Sequence, residues 1–252
     1  MSQPTAVDEF RSVWSQVADV QGWLTEGQAR ILFASANGAV AGDTIVEIGS
    51  FRGRSTIVLA TAAPIGVNVV AIEPHAGNDR GPGEIDGYAS AAATDHEEFL
   101  KNLATAGIAD RVRHVRAYSE HAHAAVDGDV AVLYVDGAHR YAPARADIRD
   151  WGKRVSTGGT LLIHDSFSSV GVTLAILREL TFGRFRYVGR SRSLAEYRAD
   201  IDGGFGARSS NAGRQLLQLP WFLKNLVVKV LLKLKLGKLV RKATGHEPDW
   251  PY

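Results

Sequence analysis

The sequence predicts an α/β fold on a mostly parallel sheet, because short runs rich in Val, Ile and Leu alternate with helical segments. A second observation points the same way. A glycine-bearing turn, Gly49 to Gly53, directly follows the first such run and opens a helix. A third is that polar residues suited to chemistry (Glu73, Asp136, His164, Asp165) stand at the ends of these runs, where open parallel sheets bind ligands.

Strands are expected at Thr44–Ile48, Asn68–Ile72, Arg111–Arg116, Val130–Val135 and Gly159–His164. Helices are expected between them at Gly53–Ala63, Thr94–Ala106, Ser119–Val126 and Tyr141–Val155. Phe185–Val188 and Ser193–Tyr197, separated by Gly189-Arg190-Ser191-Arg192, read as an antiparallel hairpin at the sheet edge. Two helices, Asp8–Val20 and Glu26–Asn37, precede the first strand and are placed to cover the ligand crevice. Residues 76–88 carry glycine and charge without periodicity and read as a mobile loop. The expected layout is a helical cap over residues 1–40, a central domain over 41–200 and a basic amphipathic tail over 201–252.

The 252 residues are 45% hydrophobic and 22% charged, which is ordinary globular composition. With no cysteine, disulfides and thiolate metal sites are excluded. The N-terminus lacks the basic start and apolar run of a signal peptide, and no apolar stretch reaches membrane-spanning length, so a cytoplasmic protein is expected. The net charge of +2 is unevenly spread. Gly203 to His246 contains nine Lys/Arg and no Asp or Glu, leaving 20 basic and 25 acidic residues in 1–202. An acidic body argues against nucleic acid as a partner.

In Glu47-Ile48-Gly49-Ser50-Phe51-Arg52-Gly53-Arg54-Ser55-Thr56, Gly49 lets the chain turn off the strand and Gly53 allows close approach of the helix start. Amides at that helix start suit a ligand carboxylate, and Glu47 suits its ammonium group. Glu73, ending the second strand, can take both hydroxyls of a ribose. Ala117-Tyr118-Ser119-Glu120 stands where adenine contacts fall. The competing reading is a plain turn and a solvated strand end. A dinucleotide element would carry G-x-G-x-x-G, whereas here the glycines are at 49 and 53 only. The pattern E-x-G-x-x-x-G-x-S resembles the methyltransferase version, which binds S-adenosylmethionine. Ser55 and Asp136 join Glu47, Gly49, Ser50, Gly53, Glu73 and Ser119 as expected cofactor contacts.

Strands four and five end side by side, so Asp136, His164 and Asp165 should converge on one ion. Oxygen ligands favour Mg²⁺, and one imidazole also admits Mn²⁺ or Fe²⁺. A hydroxyl is almost wholly protonated near neutral pH, so its methylation calls for a metal to lower its pKa and a base to take its proton. His139, just beyond Asp136, is the natural base; its other reading is a packing histidine at a helix start. His164 either ligates the ion or orients Asp165 from beneath. Asp147 and Asp150 fall on a helix and read as structural, Asp147 pairing with an arginine.

The run Asp136-Gly137-Ala138-His139-Arg140-Tyr141, then Asp147, Trp151 and Gly158-Gly159 through His164-Asp165, resembles the Mg²⁺-dependent O-methyltransferases. Within that group the resemblance is to relatives of the cephalosporin-pathway protein and the macrolide-sugar enzymes of macrocin and mycinamicin type. Gly22-Trp23-Leu24-Thr25 and Ser193-Leu194-Ala195-Glu196-Tyr197 are similar too, so the likeness spans about residues 20–200. It implies a Rossmann-like seven-stranded sheet of order 3-2-1-4-5-7-6, Asp136 and Asp165 as metal ligands and His139 as base. It also implies Glu47, Gly49, Ser50, Glu73 and Ser119 at the cofactor. The sequence departs at His164, where macrolide-sugar members often carry an acid. The expected acceptor is a sugar or glycan hydroxyl, with a catechol-like phenol as the alternative, and the 76–88 loop closes over it. A second reading of the whole is a non-catalytic cofactor-binding scaffold; Asp136, His139 and Asp165 together speak against that. A homo-oligomer is expected.

From Pro220 onward, Leu223, Leu226, Val227, Val230, Leu231 and Leu234 fall on one helical face, bordered by Lys224, Lys229, Lys233 and Lys235. Three fates stay open for this tail. It packs on the body or a second subunit, lies on an anionic membrane surface through residues 216–243, or is disordered alone.

Overall fold

The computed structural model describes residues 6–77, 89–200 and 203–234. Helices α1 (Ala6–Val17) and α2 (Glu26–Asn37) lead into β1 (Thr44–Ile48), α3 (Arg54–Ala62) and β2 (Asn68–Ile72). Then come α4 (Ala89–Thr105), β3 (Val112–Val115), β4 (Val130–Val135), α5 (Tyr141–Ala146), β5 (Val155–Ile163) and α6 (Val170–Glu179). The hairpin β6 (Arg186–Ser191) and β7 (Leu194–Arg198) precedes α7 (Phe205–Leu216) and α8 (Leu219–Lys233). The seven strands form one sheet of order β3-β2-β1-β4-β5-β7-β6, parallel except for β7 and its two neighbours. This is the order and Rossmann-like architecture expected.

Alternation along the strands builds two cores. Ile45, Val69, Ala71, Val132, Tyr134 and Leu162 face α1 to α4, with Leu32, Leu59 and Phe99. Val46, Ile48, Val70, Ile72, Leu133 and Ile163 face the other way, with Ile148, Trp151 and Ile176. β1 is buried on both faces, as a central parallel strand must be.

Several elements differ from the sequence reading. Ser119–Val126 is two 3₁₀ turns, Ser119–His121 and His123–Ala125, instead of a helix. Arg154 donates from its guanidinium to the carbonyls of His123, Val126 and Gly128, holding this stretch in an open path. Tyr141–Val155 is not one regular helix. After α5 it widens into a π turn at Asp147–Trp151 and tightens to 3₁₀ at Gly152–Arg154. β5 therefore begins at Val155, four residues before the expected start. The hairpin turn lies at Arg192-Ser193, because the β6–β7 ladder continues to Ser191 and Leu194. α4 begins before Thr94, and of the expected loop only Ala76 and Gly77 are described.

The C-terminal segment is less detached than a tail. α7, which hydrophobic patterning did not reveal, buries Asn211, Ala212 and Gln215. Asn211 accepts from the Tyr187 amide and donates to the Phe185 carbonyl, tying α7 to β6. α8 turns a polar residue inward: Asn225 is 3% exposed and donates to the Phe167 carbonyl. Lys235, Lys238, Arg241 and Lys242 lie outside the described residues. Among the described residues no helix is long and apolar enough to cross a membrane.

Candidate active site

A cavity of about 940 Å³ opens over the carboxyl ends of β1, β2, β4 and β5. Its size suits a small-molecule or cofactor site. Gly49 makes this junction possible. Its φ is +92°, and a Cβ there would sit 2.3 Å from the Asp136 carbonyl oxygen, so any side chain would push β1 and β4 apart. Ser50 follows it into the wall, its hydroxyl buried and without a hydrogen-bond partner. Across from it, Glu73 is held by two backbone amides, Phe51 N–H at 3.3 Å and His75 N–H at 3.0 Å. Burial nevertheless pushes its carboxyl above the ordinary range.

Two expected cofactor residues stand elsewhere. Glu47 is fully buried and outside the cavity wall; both its oxygens accept, from the Ser55 and Thr56 hydroxyls. Burial lifts its pKa to about 8. Ser55 is the member of this group that reaches the wall. Gly53 also lies outside the wall; a side chain there would meet Phe99 of α4 at 3.2 Å.

The far wall carries Tyr118, Ser119, His123 and Trp151. His123 stacks on Trp151 with centroids 4.2 Å apart, and the Trp151 indole donates to the Ser119 carbonyl at 3.2 Å. Asp147, expected to pair with an arginine, instead accepts from the Ser119 hydroxyl. Burial raises its pKa to about 6. The cap closes the near side through Gln21, Gly22, Trp23 and Leu24, with Trp23 against the Phe51 ring at 5.4 Å.

The polar cluster forms where β4 and β5 end. His139 Nε2 lies 2.9 Å from Asp165 Oδ2. His164 Nδ1 stands 3.2 Å from Asp136 Oδ1 and 3.6 Å from Asp165 Oδ2. Tyr134 donates its hydroxyl to Asp136 Oδ2 at 2.8 Å. The structure thus brings together all four residues that the sequence nominated. Ligand atoms of Asp136, His139 and Asp165 fall within 4.8 Å of one another. His164 is deeper, 4% exposed, and neither ring nitrogen has a partner in hydrogen-bonding geometry.

Charge in this cluster is settled by pairing. Burial alone would lower the His139 pKa, but the hydrogen bond and charge of Asp165, with the charge of Asp136, raise it. Burial would likewise raise Asp165, yet His139 and His164 hold it well below the usual carboxylate range. Asp165 also has φ +54°, an uncommon backbone for a side-chain-bearing residue.

Three contributors escaped sequence reasoning. Gly171, at the start of α6, leaves no room for a side chain, since a Cβ would lie 2.2 Å from the His139 carbonyl oxygen. Ser169 donates its hydroxyl to that same carbonyl at 3.3 Å, so α6 clamps the backbone that carries His139. Lys229 of α8 reaches the cavity wall and donates to the Ser168 carbonyl at 2.9 Å. The first two lie some 30 residues from the motif they support, and the third sits in a C-terminal segment whose packing the sequence left open. None carries a local signal.

Strand order and the cavity at the strand ends define a Rossmann-like fold with a ligand site at its carboxyl edge. Residues 46–166, a little under half of the chain, match the family model described as a methyltransferase domain. Solved structures share the fold. The O-methyltransferase NovP is 20% identical with a TM-score of 0.55, over 69% of this chain and 78% of its own. Cofactor-bound Rv0187 from MTB is 18% identical with a TM-score of 0.53, over 78% of this chain and 90% of its own. A protein from Corynebacterium glutamicum is 11% identical with a TM-score of 0.55, over 81% and 93%.

Proposed function

We propose that the chain transfers the methyl group of S-adenosylmethionine to the hydroxyl of a sugar or glycan, with His139 as base and a divalent cation, Mg²⁺, at Asp136 and Asp165. The observation that carries this reading is the His139–Asp165 pair at 2.9 Å, sharing one cavity with Ser50 and Glu73. The donor requires a nucleoside site, and the Glu73 carboxylate at the end of β2 suits ribose hydroxyls, with Trp151, Tyr118 and Ser119 on the same cavity wall. The orphaned Ser50 hydroxyl offers a further polar contact. That NovP is an O-methyltransferase and Rv0187 holds a cofactor is in keeping with this.

The donor set of Asp136, Asp165 and His164 suits a hard or borderline cation. Such an ion, when bound, lowers the pKa of a coordinated hydroxyl. The remaining chemistry belongs to the protein. Asp165, as a carboxylate, accepts from His139 Nε2, which leaves the lone pair of neutral His139 on Nδ1. Nδ1 takes the acceptor's proton as its oxygen bonds to the methyl carbon and the carbon–sulfur bond breaks. Asp165 then steadies the imidazolium, the part a third group plays in a nucleophile–base–orienter arrangement. Ser169 and Gly171 fix the backbone of His139 during this step. His139→Ala should keep donor affinity and lose turnover by about 10²-fold or more. Full turnover in that variant would remove His139 from the base role.

The exposed face of α8 supports a membrane-surface component. Leu223, Val227, Val230 and Leu234 are 55–62% exposed on one stripe, in a segment without acidic residues, while the opposite side packs on the body. A surface of this kind suits an anionic bilayer and a lipid-linked acceptor. Replacing these four residues with Gln spares the packed side. Wild type should sediment with anionic vesicles and the variant should not; equal sedimentation would end the membrane reading.

A further inference from the structure

Three histidines that the methyl-transfer chemistry does not use meet beside β2. His75 follows β2, His96 lies on α4 and His114 on β3, and one ring nitrogen from each falls within 4.8 Å of the others. Their ring centroids are 5.0, 5.2 and 5.3 Å apart. His75 is buried and the other two are half-buried.

Hydrogen bonding fixes where the lone pairs are. His75 Nε2 lies 2.8 Å from the Phe51 carbonyl and His114 Nε2 lies 3.2 Å from the Glu73 carbonyl. A carbonyl only accepts, so both Nε2 atoms carry the proton and both Nδ1 atoms carry the lone pair. His75 Nδ1 is buried and without a hydrogen-bond partner. Metal-ligating histidines are arranged in this way, with one nitrogen donating to a carbonyl and the other turned to the ion. Phe99, 4.7 Å from His114 and 5.4 Å from His75, gives the rings an aromatic neighbour but does nothing for that unsatisfied nitrogen.

We propose that His75, His96 and His114 form a site for one divalent transition-metal ion of the zinc type, distinct in its residues from the Asp136–Asp165 cluster. Three neutral imidazoles and an open fourth position match zinc, with metal–nitrogen distances of about 2.0–2.1 Å requiring the rings to turn inward. Burial, with nearby Arg116, holds all three rings below the ordinary histidine value, His114 down to about 4, so they are in the neutral form a metal needs. Asp95 and Glu97 are the acids acting on them, and Asp95 is already paired with Arg52 at 2.8 Å. Because the His75 amide and the Phe51 amide hold the Glu73 carboxylate, an ion here would brace the turn that carries it.

The test is Co²⁺ and Zn²⁺ titration of the tag-free full chain, read by visible absorption and by metal content after dialysis. Wild type should take up one nitrogen-ligated Co²⁺ displaced by Zn²⁺. His96→Ala, at a half-exposed position on α4, should bind at least tenfold more weakly and lose the visible bands; His75→Gln should do the same. The exposed-histidine control His121→Ala should keep both, and Asp136→Asn should keep this ion and its visible bands while losing any ion held at the carboxylate cluster. Equal uptake and spectra in wild type and His96→Ala, or no tight ion in wild type, would overturn the site.

Discussion

Glu47→Gln isolates the cost of a carboxylate in the sheet's interior. Glu47 is wholly buried, and burial raises its pKa from 4.5 to about 8 against the opposing donation of the Ser55 and Thr56 hydroxyls. Below pH 4.5 folded and unfolded chains both hold the proton, and the side chain is accommodated without charge. Between 4.5 and 8 the unfolded chain releases its proton while the folded chain keeps it, so stability falls as pH rises and the loss is complete above 8. At 1.36 kcal/mol per pKa unit, the full effect is on the order of 4–5 kcal/mol. Glutamine has nearly the same shape and cannot ionise. Urea unfolding of both proteins at pH 5, 7 and 9, without cofactor, reads the difference. The wild-type chain should lose several kcal/mol relative to the variant across that range. Parallel pH profiles for the two proteins would refute the burial argument.

Other perturbations follow from single contacts. Gly49→Ala places a methyl against the Asp136 carbonyl at a φ of +92°, and should cost upwards of about 1 kcal/mol in stability and abolish donor binding, both readable by melting with and without S-adenosylmethionine. Glu73→Gln leaves one of the Phe51 and His75 amides without its acceptor and should lower the melting temperature by a few degrees, while weakening donor affinity about tenfold, as loss of one charged hydrogen bond would, measured by calorimetry. Asn225→Ala leaves the Phe167 carbonyl unsatisfied and should destabilise by about 1–3 kcal/mol, seen as a drop in melting temperature of a few degrees.

The residues that a sequence can place are those whose role is local. Thr44–Ile48, Asn68–Ile72 and Val130–Val135 stand where hydrophobic runs put them, because a central parallel strand is buried on both faces and must be apolar throughout. Asp136, His139, His164 and Asp165 converge because neighbouring strands end side by side. The partners of Glu47 were not legible because its motif describes a turn, whereas the hydroxyls that donate to its oxygens come from the following helix. Apolar spacing along α8 did not reveal which side meets the body: Asn225 and Lys229 face it through hydrogen bonds to the Phe167 and Ser168 carbonyls, about 60 residues away in sequence. Contacts over such separations leave no periodic trace. The same holds for Gly171, whose missing side chain matters only because the His139 backbone passes beside it.

Calorimetric titration with S-adenosylmethionine and with NAD, each with and without Mg²⁺, tests the central claim most directly. Binding heat with S-adenosylmethionine, with affinity about tenfold weaker in Glu73→Gln, together with no heat from NAD, is the expected result. Heat from NAD and none from S-adenosylmethionine would contradict the account.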